Sequence, residues 1–164
     1  RRYGVAMSAD EDPAERLAAL CRRAGLHVAV AESLTSGGVA SEVGRGTGAQ
    51  DWFRGGIVAY ETTVKQRLLG LPADADPCSA ASATQLARAC RTLFDADMAV
   101  STTGVGGPDP QDGHPAGTVY IGWATAQQSG AELVQLDGDP SEVVRCATER
   151  AVLRLASLAD ALHG

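Results

Sequence analysis

The chain has 164 residues, with 14 Lys+Arg against 20 Asp+Glu for a formal charge of −6, and 45% of its residues are hydrophobic. That length suits one domain with a full core, and an acidic chain without a Lys/Arg run lacks the clustered cations that grip nucleic-acid phosphates. No apolar stretch reaches the roughly 18 residues of a membrane span and no signal peptide opens the chain, so a cytoplasmic protein without nucleic-acid or membrane partners is expected.

Residues 1–12 are polar and are expected to be a disordered or appended stretch before a domain at 13–164. Asp12-Pro13 followed by Glu15 predicts a helix start, with Asp as cap, Pro at the first helical position and Glu in the first turn. Leu17, Leu20, Cys21 and Ala24 recur at helical spacing, and Gly25 closes the segment. HVAVA at 27–31 reads as a buried strand that runs into the polar turn ESLTSGG and a second helix near 38–44. GRGTGAQ reads as a loop, GGIVAY at 55–60 as a strand, and 62–69 as a short helix ended by Gly70.

A helix is predicted over about 80–94 and a third strand, MAVSTT, over 98–103. The polar loop GVGGPDPQDGHPAG follows. GTVYIGWATA at 117–126 and AELVQL at 131–136, split by QQSG, predict an antiparallel hairpin. A helix from about 140 to 162 ends the chain. Strands that alternate with helices and then form a hairpin predict a single α/β domain. Its mixed sheet has about five strands, with helices on both faces. Ligands of such sheets sit beyond the carboxyl ends of the strands. If the first three strands are parallel, ESLTSGG, YETTVK and GVGGP meet on one edge.

Ser33 lies just past a strand, close to the backbone N–H groups that a helix start leaves unpaired. Such donors hold a phosphate or an oxyanion; the plainer reading is that Ser33, Thr35 and Ser36 cap the helix. A serine nucleophile needs a base. His27 begins a strand, His163 is near the end of the chain, and only His114 lies in a loop near the proposed edge. No GxSxG elbow is present, which disfavours the hydrolase Ser-His-Asp arrangement and leaves Ser-Lys open. Lys65 is the single lysine against thirteen arginines. A desolvated Lys can become neutral and accept a proton, whereas Arg cannot. From its usual pKa of about 10.4, efficient base catalysis requires a drop of roughly 2–3 pH units; the alternative is a solvated Lys on a short helix. Tyr60, expected at a strand end five residues before Lys65, could relay a proton or simply pack with a wet tip.

GVGGP at 104–108 lets backbone approach a ligand, but it lacks the GK[ST] ending of a Walker loop. Asp109, Asp112 and His114 match no trusted metal-ligand spacing, and turns commonly hold such residues. Cys21, Cys78, Cys90 and Cys146 form no CxxC pair, and three fall in predicted helices; all are read as reduced packing residues.

AESLTSGG, DWFRGGIVAYETTVK, STTGVGGPD and HPAGTVYIGWA, in this order and spacing, resemble the C-terminal domain of the CinA competence-damage proteins. The stand-alone form of that domain is the PncC type of nicotinamide-nucleotide amidase. The resemblance covers about residues 14–160. It implies hydrolysis of nicotinamide mononucleotide to nicotinic acid mononucleotide and ammonia, with no metal and no cofactor. It places the catalytic roles on Ser33, Tyr60 and Lys65. The substrate-binding candidates are Thr35, Ser36 and Gly37 in the first loop, with Thr103, Gly104, Gly106 and Gly107 in the third. Which loop holds the oxyanion and which the phosphate is left open. Leu34, Ser36, Glu61-Thr62 and Ser79-Ala80 depart from the family pattern, and Leu34, Ser36 and Glu61 motivate the alternative of a nucleotide-binding or regulatory module with weak or no turnover. A homo-oligomer is expected because closed symmetric assemblies are common.

Overall fold

The computed structural model describes residues 12–163. The expectation of an unstructured start falls on 1–11, outside the described residues. Asp12 belongs to the fold: its carboxylate accepts from the Ala14 N–H at the start of α1 (Pro13–Ala24) and also pairs with Arg45. After α1 come β1 (Val28–Glu32), α2 (Gly38–Gly44), α3 (Ala49–Trp52), β2 (Phe53–Val58) and α4 (Thr62–Leu69). Then follow α5 (Ala80–Leu93), β3 (Met98–Gly104), β4 (Thr118–Thr125), β5 (Ser129–Gln135) and α6 (Pro140–His163).

One five-stranded mixed sheet runs in the order β2-β1-β3-β4-β5. β1 pairs in parallel with both β2 and β3, and β3-β4-β5 are antiparallel. The single α/β domain with helices on both faces is therefore as the patterning predicts. Three boundaries differ, one of them that of β5, which takes in Ser129 and Gly130 of the expected QQSG turn. The GRGTGAQ loop contains the start of α3, whose four residues are too few to show a period. β2 begins at Phe53 and stops at Val58, so Tyr60 lies beyond the strand instead of ending it.

Period-2 alternation sends different side chains to the two faces of the sheet. Val28, Val30, Met98, Val100, Val119 and Ile121 pack with Leu17 of α1, Val39 and Val43 of α2 and Leu155 of α6. Fully burying each such side chain contributes about 1.5–3 kcal/mol. The other face carries Ala29, Ala31 and Ala99 against Leu86 and Cys90 of α5. Small residues there let α5 lie close. The Ser101 hydroxyl donates to the Ala83 carbonyl at 2.6 Å, and a Cβ on Gly122 would collide with that same carbonyl. Because β1, β2 and β3 are parallel, their carboxyl ends share an edge, and the three loops named above gather there. Among the described residues, no helix is long and apolar enough to cross a membrane.

Candidate functional site

A cavity of about 220 Å³ opens at that edge. Ser33 and Leu34 of the β1–α2 turn line it, as do Tyr60, Thr62 and Lys65 around the start of α4. Thr103, Gly104, Gly106 and Gly107 line it from the end of β3 and the loop beyond. The structure thus gathers seven of the ten sequence-predicted site residues around one space. Thr35, Ser36 and Gly37 are not among its lining residues.

The reason is Glu32, which sequence reasoning passed over. At 3% exposure it ends β1 and turns its carboxylate back on the residues that follow. Its Oε1 accepts from the Thr35 hydroxyl at 2.7 Å, the Gly37 N–H at 3.2 Å and the Val39 N–H at 2.8 Å; Oε2 accepts from the Ala40 N–H at 2.9 Å. The donors at the start of α2 are therefore already filled by an internal anion. Gly37 at the cap position supplies no side-chain bond, so Ser33, Thr35 and Ser36 do not cap this helix in the way the plainer reading predicts. A Glu five residues ahead of the Gly that caps the helix is the one trace of this in the sequence.

Ser33 is 6% exposed and held by its backbone: its N–H donates to the Thr102 carbonyl at 3.0 Å. Its hydroxyl makes no hydrogen bond to another described residue. Leu34, Gly106 and Gly107 have backbone N–H groups with no acceptor among the described residues. Gly104 plays a different part from the one its loop suggested. A Cβ there would meet the Thr118 carbonyl, so its bareness serves the approach of β4 and not of a ligand. Nothing lies within 4 Å of a Cβ built on Gly106.

Lys65 is 4% exposed, and its ammonium donates to the Tyr60 carbonyl at 3.2 Å. Burial lowers its pKa from the ordinary 10.5, because desolvation disfavours the charged form; the charge of nearby Cys78 acts in the opposite sense. Lys65 and Ser33 line the same cavity without a hydrogen bond between them. Tyr60, at 66% exposure, stands at the mouth.

Most of the remaining wall comes from the segment before α5 and from the outer part of the loop after β3. Pro77 and Cys78 precede α5, and the Thr103 hydroxyl ties this segment to β3 through the Pro77 carbonyl at 2.7 Å. Cys78 is no helix residue, and burial with the charge of Asp76 pushes its thiol up to about 11. The four cysteines are free, and Cys21 and Cys90 are buried in helices. Asp109, Gln111 and Asp112 form the outer lip, so Lys65 is the single cationic side chain of the lining against two carboxylates. His114 points to Asp76, with Nε2 and Oδ2 2.7 Å apart. Among the described residues, no group of three or more His, Cys, Asp or Glu is placed to hold a metal.

The family model for the CinA C-terminal domain matches residues 10–159. Over 159 residues the chain is 35% identical to a Limosilactobacillus fermentum protein named "Putative competence-damage inducible protein". That alignment takes in 94% of this chain and 38% of the relative, so the chain spans well under half the length of that protein. Among solved structures, the CinA superfamily protein of Escherichia coli superimposes with a TM-score of 0.84 at 28% identity, covering 94% of this chain and 95% of that one. The corresponding Klebsiella pneumoniae protein gives 0.86 at 26% identity, with 91% and 96% covered.

Proposed function

The chain belongs to the CinA C-terminal domain family, and on that premise we propose that it is a serine amidase converting nicotinamide mononucleotide to nicotinic acid mononucleotide and ammonia. The observation that carries this reading is the meeting of an unpartnered, nearly buried Ser33 hydroxyl with a desolvated Lys65 in one cavity. In its neutral form Lys65 takes the Ser33 proton as Oγ attacks the carboxamide carbon, with Tyr60 assisting at the mouth. Lys65 then returns that proton to the departing nitrogen, the C–N bond breaks, and ammonia leaves an acyl ester on Ser33. Water, deprotonated by Lys65, attacks the ester, the bond from the acyl carbon to Ser33 Oγ breaks, and Lys65 returns the proton to Oγ as the acid leaves.

The oxyanion of each tetrahedral stage falls to unoccupied donors. With Glu32 on the N–H groups of Gly37, Val39 and Ala40, these reduce in the first turn to the Leu34 N–H beside Ser33. The carboxylates of Asp109 and Asp112 face the positive pyridinium ring that distinguishes this substrate from a neutral amide. The 5′-phosphate is then left to backbone donors of the 106–107 segment.

The test is ammonia release from nicotinamide mononucleotide with a chelator present. Turnover that Ser33→Ala lowers by at least about 10³-fold supports the reading. Loss of all turnover on adding chelator overturns the metal-free chemistry. The second reading, a binding module without turnover, is favoured by one feature: the Lys65 ammonium is engaged by the Tyr60 carbonyl and not by Ser33. Tight mononucleotide binding without ammonia supports that reading.

A further inference from the structure

A serine that opens a helix is commonly spent as its cap, and one that sits in a mobile turn presents its hydroxyl in many directions. Neither applies to Ser33, and the difference traces to the residue before it. Glu32 carries four hydrogen bonds on two oxygens, and all four donors come from the eight residues that follow it. Bonds of this kind, from N–H or O–H to an ionised oxygen, are short and strong. Thr35 extends the network sideways. Its single hydroxyl proton goes to Glu32, so the 2.7 Å contact with Thr102 has Thr102 as donor. Thr102 in turn accepts the Ser33 N–H on its carbonyl. The turn is thereby fastened to α2 through Glu32 and to β3 through Thr35 and Thr102, and Ser33 is the residue enclosed between those anchors.

Resting on the serine-amidase reading above, we propose that Glu32 is a positioning residue for Ser33. Its carboxylate replaces the helix cap, frees the Ser33 hydroxyl from that duty and fixes the turn so that the hydroxyl faces the cavity. Glu32 takes no part in proton transfer. Its oxygens are occupied by donors, it is buried, and it does not line the cavity.

Glu32→Gln tests this with little change of shape. The amide oxygen can keep the three donors now on Oε1, but the amide nitrogen then faces the Ala40 N–H, donor against donor. The measurements are kcat and KM for ammonia release, a pH–rate profile, and the rate at which a fluorophosphonate probe labels Ser33, followed by mass spectrometry. All are taken at a temperature where circular dichroism shows the variant fully folded. The expected result is a kcat at least about 10-fold lower, KM within about 3-fold, probe labelling slowed alongside kcat, and an unmoved pH midpoint. Thr35→Val, which keeps the volume and cuts the bridge to Thr102, gives a smaller loss in the same direction and serves if Glu32→Gln does not fold.

Wild-type kcat and labelling in a folded Glu32→Gln protein overturn the proposal while leaving the amidase reading intact. A shifted pH midpoint overturns it in favour of a role in proton transfer. If the wild type releases no ammonia yet is labelled at Ser33, the amide reading fails and the labelling rates still decide the role of Glu32. If the wild type shows neither, the serine reading fails and the proposal with it.

Discussion

The β1–α2 turn and the start of the loop after β3 look alike in the sequence: each is polar, rich in glycine and set at the end of a parallel strand. In three dimensions they are opposites. The first has spent the Gly37, Val39 and Ala40 N–H groups on Glu32, a buried acceptor from its own strand, and Leu34 alone of its cavity-lining residues keeps an unclaimed N–H. The second presents Gly106 and Gly107 with their N–H groups unclaimed beside a cavity. A glycine-rich turn is thus not by itself an anion site. What decides is whether the fold has already supplied the anion, and that depends on one side chain outside the glycine run. The largely saturated turn holds a nucleophile still, and the open loop is where a substrate's own anion finds partners.

Lys65 offers the most forceful way to break that comparison. If its ammonium grips the substrate phosphate, the open loop is not the principal anion site. Arg, a better fork for phosphate, should then preserve much of the activity in Lys65→Arg. The expected result is the reverse: turnover falls about 10²–10⁴-fold, since Arg cannot deprotonate, while nucleotide binding by titration changes little. The pH–rate profile should rise through a midpoint below 10.5, in the direction that burial moves this amine. The same burial has a consequence for stability. Between the lowered folded pKa and 10.5 the unfolded chain holds a proton that the folded chain has released, so stability rises with pH across that window. Below the folded pKa the charged, desolvated amine destabilises the fold. Lys65→Met should therefore melt at a higher temperature at neutral pH while losing turnover, checked by calorimetry beside the ammonia assay.

How much of this contrast was legible in the sequence follows from the range of the interactions. Helices α1, α2, α4 and α5 are written in local signals, such as Asp12-Pro13 at one start and Gly25 and Gly70 at two ends, and their bounds agree with expectation to within a residue. The convergence of three loops follows from parallel strands and is equally readable. Glu32 was not, because a Glu at a strand end resembles any solvent-facing residue of a polar turn. Its burial depends on α2 folding back over it. Pro77, Cys78, Pro140 and Val144 joined the wall for a similar reason: they are brought in by the sheet order, not by spacing. Tyr60 was placed correctly relative to Lys65 but misread as a strand residue. β2 gives out at Val58, and the tyrosine is left at the mouth.

The open loop is itself divided, and Gly104→Ala marks where fold ends and function begins. The added methyl would meet the Thr118 carbonyl at a backbone φ of +151°. Neither the opposed backbone nor that conformation yields to an L side chain. Overpacking of this sort costs about 1–3 kcal/mol or more, so the melting temperature should fall by several degrees. Activity per folded molecule should stay close to wild type, measured well below the transition. An unchanged melting temperature would mean that Gly104 belongs with the ligand-facing residues after all.

Two positions further on the same substitution should do nearly the opposite, and this is the finest test of the division. Gly106 has no heavy atom within 4 Å of a built Cβ, and its φ lies outside the left-handed range that penalises side chains. Gly106→Ala should therefore leave stability within about 0.5 kcal/mol of wild type, or raise it slightly by narrowing the unfolded ensemble. Its cost should appear only when substrate arrives, because the residue lines the cavity and the methyl stands where a ligand must approach backbone. A rise in KM of about 3–10-fold with kcat little changed is the expected outcome, the signature of binding lost equally from ground state and transition state. If kcat falls instead and KM holds, the Gly106 N–H serves the oxyanion and not the phosphate. If neither moves, the open loop does not touch the substrate, and its free donors are merely solvated.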